Sequence, residues 1–264
     1  FNSTAFYSAL LQDTIQQADN HGYISFSAQP QKTATRANPY EAYDPTRHPA
    51  TMGTFGYYDM PKRYASAANT IFNNETATYN VATYGWDTAT KKRWTEYTKA
   101  SSFDFFAYMP YTGGATLLRT ANNTYTLSFP FAMSDGGNPV PVIYDTKAAP
   151  IICAVPSSKG AISDSNGGGT VSLKFDQTLT GYKLLFMLGT KMNAIRHFRI
   201  KSVTLSGSFS TSCTISRSYV WNTTSKSWSA SAITWSDIKR QSFVETPFPI
   251  AYKGYGSAEV GGQA

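Results

Sequence analysis

Short runs in which large side chains alternate with small or polar ones recur along most of this chain, separated by turn signals and many of them at intervals of roughly 8–15 residues. They fall at 23–27, 53–58, 77–84, 94–97, 103–109, 125–131, 140–144 and 151–155, then at 171–175, 182–188, 197–205, 213–216 and 219–221. No stretch of helical period separates one run from the next, so parallel βαβ units are excluded and an all-β, antiparallel β-sandwich is expected. Composition agrees, because charged residues make up only 15% of the chain while Tyr (18) and Phe (16) suit a pleated, half-buried surface.

Two segments break the pattern at the ends. Between 4 and 20, Phe6, Tyr7, Leu10, Leu11, Ile15 and Ala18 recur at helical spacing, which predicts a short helix in an N-terminal segment 1–21. From 229 to 264 the alternation fades into Pro247, Pro249 and a Gly-rich close, the signature of a linker or tail. The sandwich domain is therefore expected over 22–228. Inside it, Pro30, Pro39, Pro45, Pro49 and Pro61 mark a long polar loop around the strand at 53–58.

The net charge of +7 comes from 23 basic against 16 acidic residues that are scattered rather than striped. The densest cluster, Lys91-Lys92-Arg93, reads as a solvated hairpin tip, so no nucleic-acid partner is expected. No run approaches the ~20 apolar residues of a membrane-spanning helix. The chain starts at Phe1 without an initiator Met, and no charged n-region with an apolar h-region follows, so a signal peptide, if one existed, is expected to have been removed. Export is read from composition and from the resemblance given below.

Signals for chemistry are sparse. His21, His48 and His197 are far apart, and there is no G-x-S-x-G or H-E-x-x-H motif. Asp104 and Asp176 are the candidates for a glycosidase pair, yet each alternates with large apolar residues and reads as a solvent-side strand residue. Asp164-Ser165-Asn166-Gly167-Gly168-Gly169 lacks the closing ligands of a calcium loop and reads as a turn. No catalysis, metal or cofactor is expected. Cys153 and Cys213 each sit in a β-like run, and two alternatives stay open: buried free thiols, or one disulfide between strands. Exposed aromatics could stack on sugar rings, with Tyr57, Tyr58 and Trp86 as the candidates.

Several of these runs, in order, resemble the N-terminal domain of the fimbrillin family of Bacteroidetes surface pili. They are Ile24-Ser25-Phe26-Ser27 with Ala34-Thr35-Arg36-Ala37, then Phe55-Gly56-Tyr57-Tyr58, then Phe103-Asp104-Phe105-Phe106-Ala107-Tyr108-Met109-Pro110. The series continues with Val171-Ser172-Leu173-Lys174-Phe175 and Ile200-Lys201-Ser202-Val203-Thr204-Leu205-Ser206-Gly207. The resemblance implies a transthyretin-like sandwich and a cell-surface location at the outer membrane or in extracellular fimbriae, with any membrane attachment through a lipid anchor outside this chain. It also implies assembly with other fimbrial subunits by β-strand addition after cleavage at an N-terminal arginine, for which Arg36 is the candidate. A second sandwich domain, usual in the family, is expected to be absent or truncated here. The alternative reading is a surface carbohydrate-binding protein whose partners are host or bacterial glycans or proteins.

Overall fold

The computed structural model describes residues 22–30, 49–60, 69–132, 134–135, 138–139, 149–162, 168–179, 204–245, 252–253 and 259–260. The expected helix at 4–20 and the expected strands at 140–144 and 182–188 lie outside them, as does most of the run at 197–205.

The protein is all-β. In chain order the strands are β1 (Ser25–Pro30), β2 (Thr51–Tyr58), β3 (Thr70–Asn80), β4 (Gly85–Thr88), β5 (Ser102–Met109), β6 (Thr116–Ala121) and β7 (Thr124–Ala132). After them come β8 (Ser134–Asp135), β9 (Asn138–Pro139), β10 (Ile151–Cys153), β11 (Ser157–Gly160), β12 (Thr170–Gln177) and β13 (Leu205–Asn222). β14 (Ser227–Ala230), β15 (Thr234–Glu245), β16 (Tyr252–Lys253) and β17 (Glu259–Val260) follow, the last strands among the described residues.

Where an antiparallel β-sandwich is expected, the first sheet closes on itself. Its order is β10-β12-β1-β4-β3-β2-β5, and β10 pairs back onto β5 to make a ring of seven strands. β11 continues the line of β10 along the same side of β5, with Ser158 opposite Asp104 and Ile152 opposite Tyr108. Closure removes the sheet edges that would otherwise be left unpaired. One pair, β1 with β12, is parallel, running from Ser25 opposite Thr170 to Pro30 opposite Phe175. The second sheet has the order β14-β13-β7-β6, with β15 also paired to β13.

Aromatic side chains fill the ring. Phe26 meets Phe72 at 5.9 Å and Phe105 at 5.7 Å, both edge-on, the geometry in which ring quadrupoles attract. Gly56 makes room for them, since a Cβ there would lie 2.9 Å from the Phe105 ring. One end is closed by Trp94, which is 1% exposed, packs edge-on against Phe103 at 5.3 Å and donates from Nε1 to the Gly169 carbonyl at 3.1 Å. Only glycine fits at 168, where a Cβ would sit 2.3 Å from the Trp94 indole.

That plug corrects one expected strand. Residues Trp94–Tyr97 form a single 3-10 turn, started by the Glu96 carboxylate accepting from the Arg93 backbone N–H at 2.9 Å. Its aromatic-rich sequence resembles a strand locally, but burying the indole across the barrel end decides the conformation.

By contact density the chain divides into two compact units. The first is Phe1–Phe131, Val142–Leu179 and Cys213–Asp237; the second is Ala132–Pro141, Thr180–Ser212 and Ile238–Ala264. Both described sheets contribute to the first unit. The described parts of the second hold the β8–β9 and β16–β17 pairs and the segments of β13 and β15 that fall within its bounds.

Candidate functional site

Alternation along Phe103-Asp104-Phe105-Phe106-Ala107-Tyr108 sends Phe103 and Phe105 into the barrel and Asp104, Phe106 and Tyr108 to its outer wall. The second sheet covers that wall. Tyr108 stacks on Phe129 at 4.4 Å, and Phe106 meets Tyr219 at 5.3 Å and Trp228 at 5.6 Å. Asp104 is consequently 2% exposed, which corrects its reading as a solvent-side residue. Its carboxylate accepts hydrogen bonds from Ser158 Oγ and from Trp228 Nε1, the latter at 2.8 Å. Burial pushes its pKa up, and these two donors offset part of the rise.

A second polar cluster links the two layers at β10 and β13. Tyr219 donates its hydroxyl to the Cys153 carbonyl at 2.8 Å, and that hydroxyl lies 2.9 Å from Cys153 Sγ. Beside it, Arg217 Nη1 pairs with the Asp176 carboxylate at 2.6 Å and reaches the Cys153 carbonyl at 3.4 Å. Burial raises the Cys153 thiol to about 11, so it stays protonated and a poor nucleophile.

Cys153, which is buried, and Cys213, which is half-buried, are both free thiols in this structure. Cys213 lies six residues along β13 from Tyr219, about 20 Å at strand rise, whereas Cys153 touches that tyrosine directly. The two carboxylates do not face one another either. Asp176 is opposite Ile152 and Ile152 opposite Tyr108, four residues from Asp104, which separates their backbones by about 16 Å.

The three aromatics proposed for ligand stacking fall in different places. Trp86 is 0% exposed, shares a face with Phe26 and meets Tyr79 edge-on at 5.5 Å, so it is barrel core. Tyr57 is 4% exposed on the outer wall beneath the second sheet, where burial lifts its hydroxyl to about 12. Only Tyr58 is half-buried, against the Tyr97 ring at 5.8 Å. Tyr57 and Trp86 therefore cannot present a ring to a ligand. Arg36 lies outside the described residues. The basic tip is tethered: Lys91 pairs with Asp87 at 2.9 Å, and Arg93 lies over the Tyr23 ring at 4.9 Å.

The exposed surfaces that sequence reading missed are the outer strands of the second sheet. Every residue from Thr234 to Ser242 of β15 is exposed, Trp235 and Ile238 among them. β15 is held to β13, with Thr234 Oγ1 donating to Ser216 O at 3.3 Å and Thr211 Oγ1 to Lys239 O at 3.4 Å. Among the described residues β13 is its one strand neighbour, as β7 is the one neighbour of β6. Asn122-Asn123, with Asn123 in the left-handed region at φ 56°, is a hairpin signal that would have found β6. β15 carries no amphipathic pattern, because neither of its faces is buried.

The chain matches no protein-family profile and no curated protein. Among solved structures it is similar to a "putative cell adhesion protein" from Bacteroides uniformis, with 15% identity, 86% of this chain and 72% of that chain covered, and a TM-score of 0.34.

Proposed function

We infer that this chain is a structural and adhesive subunit of a bacterial surface fimbria, assembling with other subunits by β-strand addition. The observation that carries this reading is β15, a twelve-residue strand exposed on both faces over Thr234 to Ser242 and paired on one side only among the described residues. Such an edge presents backbone N–H and C=O groups that another chain's strand can satisfy, while Trp235 and Ile238 offer that strand apolar contact. The fimbrillin-like order of motifs supports the same reading, and with it the transthyretin-like plan, the outer-membrane or fimbrial location and the trimming at Arg36. On this reading the protein works by binding rather than by catalysis, without a cofactor or a nucleic-acid partner.

The test is to trim the purified chain with a trypsin-like protease and follow it by denaturing electrophoresis without boiling. Ladders of oligomers are expected, and they are expected to disappear in Ile238→Lys, which places a solvated charge on the exposed strand. Persistent monomers, or ladders that Ile238→Lys leaves intact, would remove β15 from the assembly surface.

A further inference from the structure

A groove of about 470 Å³ lies beside β6, lined by Asn73 and Asn74 of β3, by Tyr111 and Gly113, and by Thr116 and Leu118 among the residues of the following stretch. Its size falls within the roughly 300–1,000 Å³ of small-ligand sites. The β-bulge in β3 builds one wall. Glu75 is opposite Thr54 and Asn73 opposite Phe55, which leaves Asn74 as the extra residue, in the left-handed region at φ 53°.

The bulge aims the Asn74 side chain across to the loop. Its Nδ2 donates to the Thr112 carbonyl at 2.9 Å, and its Oδ1 accepts from the Tyr108 hydroxyl at 2.7 Å. That hydroxyl also accepts from the Thr112 N–H at 3.1 Å, and Tyr111 N–H donates to the Thr51 carbonyl at 3.3 Å. The Tyr108 ring is itself seated over Gly53, where a Cβ would come within 2.2 Å of it. The loop carrying Tyr111 is thus fastened at several points before any ligand arrives, which lowers the ordering cost of binding.

What this frame leaves available is specific in kind. Tyr111 is 36% and Leu118 59% exposed, and the side chains of Asn73 and Thr116 make no hydrogen bond among the described residues. None of the lining residues is charged, although the chain as a whole carries +7. An anionic ligand would find no cation there. Amide and hydroxyl groups that both donate and accept, beside an accessible aromatic face, match the hydroxyls and C–H faces of a sugar. A peptide strand added to β6 would pair its backbone but use neither the Asn73 amide nor the Tyr111 ring.

We propose that this groove binds a neutral carbohydrate, with the Tyr111 ring as its stacking platform and Asn73 and Thr116 as its hydrogen-bonding partners. The proposal goes beyond the fimbrial reading and stands apart from it, since β15 contributes nothing to the groove.

Cellobiose, lactose and N,N′-diacetylchitobiose are the probes, added at millimolar concentration to the whole chain and followed by saturation-transfer NMR and calorimetry. At least one is expected to bind. Tyr111→Ala and Asn73→Ala should each weaken it about tenfold, Tyr111→Phe should keep it within about twofold, and Trp235→Ala should leave it unchanged. Absence of binding to all three sugars overturns the proposal, as does equal binding by Tyr111→Ala with its folding confirmed by circular dichroism. Self-association that Tyr111→Ala abolishes and sugar does not affect would assign the groove to a second copy of the chain instead. Loss of oligomer ladders in Ile238→Lys with sugar binding retained would separate this site from the assembly edge.

Discussion

β5 and β15 are both regular strands, and they differ in almost everything that holds a strand in place. β5 is buried from Phe103 through Met109, with one face inside the barrel and the other under the second sheet. β15 is exposed at each residue from Thr234 to Ser242 and has one hydrogen-bonded strand neighbour among the described residues. β13 takes part in both regimes along its 18 residues. Ser206, Gly207 and Ser208 are exposed, while Thr211, Ile215 and Tyr219 are buried. Backbone pairing alone thus defines a strand, but side-chain burial decides whether changing a residue in it matters to stability. It also decides which strands remain available to another molecule.

The sharpest way to break the contrast is truncation on each side of it. Phe105→Ala removes a ring that touches Phe26 at 5.7 Å and Trp94 at 5.9 Å, and should cost about 3–5 kcal/mol in urea unfolding. Gly53→Ala comes next. Its Cβ would drive Tyr108 off the Asn74 and Thr112 hydrogen bonds, for a loss of about 1–3 kcal/mol measured the same way.

Asp104→Asn tests the covered outer wall through pH. The folded pKa of Asp104 is raised above its usual 3.8, so the folded state holds the proton more tightly than the unfolded chain does. The stability this group contributes is present below 3.8 and is lost as pH rises through the raised value. Asn cannot ionise and can still accept from Ser158 and Trp228. Thermal melts should show the variant gaining on the parent as pH rises through that window, and parallel curves would show that Asp104 is solvated. The smallest effect is expected at the exposed strand, where Trp235→Ala should stay within about 0.5 kcal/mol of the parent. A loss comparable to that of Phe105→Ala would mean that β15 is covered.

Much of the strand inventory was legible. The runs at 53–58, 103–109, 125–131 and 171–175 lie inside β2, β5, β7 and β12, because each alternates strongly and ends at a turn. β4, β11 and β14 escaped notice because four residues carry too little periodicity. β15 escaped because periodicity records burial and this strand has none. The site residues fared less well. Alternation correctly put Asp104 opposite Phe103 and Phe105, but assigned it to solvent; it likewise could not tell that Tyr57 lies beneath a second layer.

The sequence by itself determined that the chain would be built from strands, and which residues share a face, since a two-residue period is a local property of the backbone. Only the tertiary structure decided what covers each face. The pairing of β10 with β5 closes the barrel, and the second sheet turns its outer wall into core. Both are contacts between residues distant in the chain. The bulge at Asn74 and the loop it fastens depend on the same long-range pairing, which is why the groove beside Tyr111 left no motif in the sequence to find.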